Sequence, residues 1–103
     1  MSKRLADPYL TVAGVYRVPG LKPVGLAYDG ATLWTLDAGD RALRRHSLAR
    51  PDEAVELLPL REYSDGKEMP TGLAWDGTRF WTTSERRDGK GPARLRLHPV
   101  GNR

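Results

Sequence analysis

The sequence predicts an all-β fold built from two copies of one four-stranded unit. Three observations carry this: a recurring thirteen-residue motif, an Asp-Gly turn signal inside each copy, and no apolar stripe of helical period longer than two turns. At 103 residues the chain is one domain, read as a single two-repeat unit over residues 1–103, with repeats at about 15–46 and 55–98.

The motif appears first as Pro23-Val-Gly-Leu-Ala-Tyr-Asp-Gly-Ala-Thr-Leu-Trp-Thr35 and again as Pro70-Thr-Gly-Leu-Ala-Trp-Asp-Gly-Thr-Arg-Phe-Trp-Thr82. At an offset of 47, 8 of 13 positions are identical, and Tyr28/Trp75 and Leu33/Phe80 are conservative pairs. With gaps the match extends upstream, Val15-Tyr-Arg-Val-Pro19 against Val55-Glu-Leu-Leu-Pro59. Downstream, Leu43-Arg-Arg-His46 matches Leu95-Arg-Leu-His98.

Each element follows from local chemistry. Residues 25–28 and 72–75, small residues alternating with large ones, form the first strand. Asp29-Gly30 and Asp76-Gly77 turn the chain, because Gly accepts the positive φ of a tight hairpin without steric cost. The aromatic and β-branched residues at 33–36 and 80–83 suit a second strand. A third covers Ala42–His46 and Arg94–His98, and a fourth covers residues 12–18 and 54–58. Helix content is expected to be close to nil.

The pattern Pro-x-Gly-Leu-Ala-(Tyr/Trp)-Asp-Gly-x-x-(Leu/Phe)-Trp-Thr resembles the blade of the β-propeller superfamily that includes NHL-repeat, YVTN-type and gluconolactonase-like proteins. Propellers have ~4–8 blades around an axis, so two blades cannot close a ring. A blade is apolar on both faces, and positions such as Leu26, Trp34, Leu73 and Trp81 or their alternates are expected to stay wet in a lone pair. Each large apolar side chain left in water forgoes about 1.5–3 kcal/mol. Strand order points the same way, since the second blade lacks its outer strand while an unpaired one precedes the first blade. Swapping that strand between subunits, head to tail, closes an oligomeric propeller. Three chains and six blades are favoured, with a tetramer or dimer as alternatives. The competing reading is a piece of a longer propeller, or a two-blade remnant with its own cap.

A candidate site follows from the longer second repeat. Pro59 to Pro70 spans 11 positions against 4 for Pro19 to Pro23, and Trp81 to Leu95 spans 14 against 9 for Trp34 to Leu43. Both insertions fall on one predicted loop face, where they place Tyr63, Glu68, Glu85, Arg86 and Arg87 alongside Lys22, Asp37, Asp40 and Arg41. These nine are the expected ligand-binding residues, although polar loops are also simply solvated loops. His46 and His98 are read as surface histidines inherited with the repeat rather than metal ligands. Asp29 and Asp76 are read as turn residues, and Trp34, Trp75, Trp81 and Tyr28 as core residues before sugar-stacking ones.

Function is bounded more by exclusion. Without Cys there is no disulfide, thiolate metal site or cysteine nucleophile, and no Gly-x-Ser-x-Gly motif is present. No apolar run reaches the ~18 residues of a membrane helix, and Asp7 and Pro8 interrupt the start, so neither membrane span nor signal peptide is expected; the location is read as cytoplasmic. The favoured role is a non-catalytic, self-assembling binding or scaffolding module with no cofactor. The resemblance also admits a metal-dependent lactonase-like hydrolase, disfavoured because Asn102 is the only amide side chain. An oligomeric sugar-binding lectin is a further alternative. Net charge of +4, from 17 basic and 13 acidic residues, is modest for a dedicated nucleic-acid binder and leaves weak nucleic-acid binding as a disfavoured alternative; the excess is N-terminal, at Lys3, Arg4, Arg41, Arg44, Arg45 and Arg50.

Overall fold

The computed structural model describes residues 12–99; Lys3, Arg4, Asp7, Pro8 and Asn102 lie outside that range. Two antiparallel sheets account for the fold. Sheet 1 contains β1 (Pro23–Tyr28), β2 (Leu33–Asp37), β3 (Ala42–His46) and β4 (Ala54–Pro59), in chain order. Sheet 2 contains β5 (Glu68–Trp75), β6 (Phe80–Arg86) and β7 (Arg94–His98), also in chain order. The connection between the sheets includes one short 3₁₀ turn, Arg61–Tyr63. Residues 12–18, expected as a strand, form no ladder with any other described residue. Among the described residues sheet 2 therefore ends on the edge of β7.

The repeated motif explains the local structure position by position. Both ladders slip at Pro-x-Gly, between Pro23 and Gly25 and between Pro70 and Gly72. Proline has no N–H to give the ladder, and a bulge accommodates that gap. At the first turn Asp29 accepts the N–H groups of Ala31 and Thr32 at 2.9 and 2.8 Å and the Trp34 indole N–H at 2.8 Å. Asp76 repeats this with Thr78 and Arg79, both at 2.8 Å, and with Trp81 at 2.7 Å. Turn and tryptophan are thus one unit: the carboxylate that closes the hairpin also fixes the following indole.

Register assigns the faces. In sheet 1, Gly25, Ala27, Trp34, Leu36 and Leu43 point toward sheet 2, while Leu26, Tyr28, Leu33, Thr35, Arg44 and His46 point away. In sheet 2, Leu73, Trp75, Phe80, Thr82, Arg96 and His98 point inward, and Gly72, Ala74, Trp81, Thr83, Leu95 and Leu97 point out. The core forms where β1 lies across β5. Phe80 sits between Trp34 and Trp75, edge to face at centroid distances of 5.0 and 4.8 Å. Gly25 permits the approach, since a Cβ there would lie 2.8 Å from the Leu73 Cβ and 2.9 Å from its backbone nitrogen.

Burial sorts the positions expected to stay wet. Trp34 is buried and Leu73 packs against the core, whereas Leu26 faces solvent and Trp81 is half-buried. Because Trp34 is 1% exposed and touches both sheets, Trp34→Ala is expected to cost about 3–5 kcal/mol. Urea unfolding checks this, and a loss below about 1 kcal/mol, the range of ordinary surface changes, contradicts the packing.

Candidate binding face at one end of the sheets

The register gathers the predicted loops at one end. Pro23, Asp37, Ala42 and Pro59 stand in line across sheet 1, and Glu68 pairs with Arg86 at the corresponding end of sheet 2. Lys22 ties the two together, its Nζ lying 3.9 Å from Met69 Sδ.

Most carboxylates there are committed to holding the loops. Asp37 is 1% exposed and accepts the backbone N–H groups of Lys22 at 2.9 Å, Gly39 at 2.8 Å and Asp40 at 3.1 Å. Burial opposes ionisation, but these donors hold its carboxyl below the usual range. Asp40 is ion-paired to Arg44, and Arg86 to Asp88 at 3.0 Å. Arg41 occupies the left-handed region at φ 56°, and its carbonyl accepts the Leu60 N–H at 3.0 Å. Glu68 receives Arg96 through two nitrogens, each at 3.0 Å, and the Ser84 hydroxyl at 2.7 Å. These bonds, that of Arg96 foremost, pull the Glu68 carboxyl down from 4.5 to about 2.

Tyr63 is a correction to the loop reading. It is fully buried, and its hydroxyl lies 2.8 Å from Thr82 Oγ1 while Arg96 stacks over its ring at 5.1 Å. The insertion carries a core residue as well as polar ones. What remains uncommitted among the predicted residues and their loop neighbours is largely cationic: the side chains of Lys67, Arg87 and Lys90, joined by the anion Glu85, while the Arg87 N–H donates to the Lys67 carbonyl at 3.1 Å.

The histidines are also corrected, because neither belongs to the open surface. His46 is 2% exposed with Nε2 2.8 Å from Thr35 Oγ1, and burial lowers its pKa. His98 bonds Thr82 Oγ1 at 2.7 Å and Glu62 at 2.9 Å. Burial lowers the pKa of His98 although Glu62 opposes it. A carboxylate only accepts, so Nδ1 carries the proton, Nε2 accepts from Thr82, and Thr82 accepts from Tyr63. Hydroxyl, imidazole and carboxylate stand in the order of a nucleophile, base and orienter. Yet Thr82 is 0% exposed and bonded on both sides, so this chain of bonds fastens β6, β7 and the connection together. Among the described residues no group of three or more His, Asp or Glu side chains is placed to hold a metal, and no helix is long and apolar enough to cross a membrane.

Two further surfaces stand out. A cavity of about 640 Å³ opens beside β7, lined by Leu43, Leu58, Leu60, Trp75, Phe80 and His98. Across the molecule, Tyr16 and Val18 lie over the outward face of sheet 1, forming a recess with Leu26, Leu33, Thr35 and His46. No protein-family model matches the chain, nor does any curated protein or solved structure.

The Glu68 cluster has a pH signature. Its depressed pKa means the stabilisation is complete above 4.5 and fades as pH falls toward about 2. Glu68→Gln is therefore expected to melt below wild type at pH 7, with the gap narrowing through that window and closing near pH 2. A gap independent of pH excludes the ionised cluster.

Proposed function

We propose that the chain is a subunit of a homo-oligomeric β-propeller that works by binding rather than catalysis. Each copy supplies residues 12–18 as the outer strand of a neighbour's second sheet. Three copies and six blades are the expected ring. One observation carries this reading: among the described residues β7 leaves an unpaired edge beside a large apolar cavity, and residues 12–18 have no ladder partner. An open edge is a site for another strand, and identical subunits supply both halves of the contact.

The binding surface in this reading is the loop end carrying Lys22, Lys67, Glu85 and Arg87. Its acidic residues are mostly engaged by backbone donors or arginines, whereas Lys67, Arg87 and Lys90 are free to meet a ligand or protein segment rich in carboxylates. Repetition around an axis multiplies such weak contacts.

Light scattering across a dilution series is expected to give the mass of three chains, and removal of residues 1–18 to give one. A wild type that stays at one chain throughout overturns the ring; a stable two- or four-chain mass resets the blade count. The binding face is checked with immobilised polyglutamate. Retention is expected to fall at least severalfold in Lys67→Glu/Arg87→Glu, and to fall less in Arg50→Glu/Arg79→Glu, which changes charge equally at the opposite end. Equal losses reduce the effect to net charge and remove the site.

A further inference from the structure

We infer that the outward face of sheet 2 docks on the outward face of sheet 1 of a second copy, reproducing between chains the sheet contact found within one. This rests on the self-assembly reading and specifies its interface. The repeat itself is the reason. Sheet 1 presents Gly25, Ala27, Trp34 and Leu43 to sheet 2, and the equivalent residues of sheet 2, Gly72, Ala74, Trp81 and Leu95, point to solvent. Conversely, sheet 2 meets sheet 1 with Leu73, Trp75 and Phe80, whose equivalents Leu26, Tyr28 and Leu33 line the outward face of sheet 1. Each chain thus carries both halves of its own internal contact, one on each outer side.

Exposure marks the missing neighbour. Leu43 is 3% exposed but Leu95 is 64%, and Leu26 and Tyr28 are 63% and 53% exposed where their counterparts pack against the core. Gly72 is more specific. Gly25 must be glycine because Leu73 of the other sheet presses against it, whereas a Cβ at Gly72 would meet only its own sheet, at 2.7 Å from Thr83 Oγ1. No residue of the other sheet lies over Gly72 as Leu73 lies over Gly25, and Leu26 of a second copy is the equivalent residue for that place. The N-terminal segment agrees. Val18 sits over Leu33 and His46 as its equivalent Leu58 sits beside Phe80 and His98. The strand destined for a neighbour's sheet already lies above the face that the neighbour covers.

A head-to-tail contact between unlike faces has a distinctive outcome with single-face variants. Leu26→Arg blocks the sheet 1 face and Ala74→Arg blocks the sheet 2 face; both positions are exposed, so the β spectrum should be retained. Each variant alone is expected at the mass of one chain, and an equimolar mixture at two chains, because one good junction remains. Wild-type mass in both variants, loss in only one, or a mixture that stays at one chain overturns the docking. A wild type that is itself monomeric overturns the self-assembly reading instead. If either variant misfolds, Tyr28→Asp and Leu95→Asp probe the same two faces with the same expected masses.

Discussion

The contact of β1 on β5 is the constraint on which the rest depends. Gly25 brings the two strands closer than any side chain would allow, and only then can Trp34 reach Phe80. The indole does not choose its own position, because Asp29 holds its N–H while also closing the preceding turn. The turn donors and the indole pull the Asp29 carboxyl down to about 2 despite its burial, so the anchor stays charged over a wide pH range. A local turn is thereby converted into a long-range packing contact. The motif keeps glycine, aspartate and tryptophan together because each serves the same junction.

Much of the fold was legible for that reason. The Asp-Gly turns, the aromatic second strands and the third strands at Ala42–His46 and Arg94–His98 follow from local chemistry, and they occur as expected. Longer first strands were not legible. Pro23 and Pro70 look like strand breaks, but a bulge absorbs them and the ladder continues, in sheet 2 as far back as Glu68. The paired histidines were misread because a polar residue on a short strand looks solvated; the Thr35 and Thr82 hydroxyls, on the neighbouring strand and two residues along in register, make burial tolerable. That pairing was visible in principle, since threonine and histidine recur together in both copies.

The candidate site was legible as a place rather than as a set of roles. Insertion lengths located the loop end correctly in the register, because extra chain between strands must emerge where those strands stop. Sequence could not separate residues that hold the loops from residues free to bind. Asp37 became an acceptor for three N–H groups of its own repeat, while contacts spanning the insertions made Glu68 the partner of Arg96 and Tyr63 a core residue.

The insertion also makes the two copies unequal in a way that bears on assembly. Leu60 and Tyr63 plug the space between the sheets, and Glu62 adds a bond to His98. The short connection ahead of β1 offers no such plug, and its Leu21 is 81% exposed. A junction between copies built on the same faces therefore has the glycine contact and the aromatic contact but lacks the plug. It buries less apolar surface, and its stability falls accordingly. Within the proposed ring the junctions inside each chain are the permanent ones, and those between chains are weaker and governed by concentration. In that proposal the plug holds each subunit together, and the absence of a second plug leaves a face open for a neighbour.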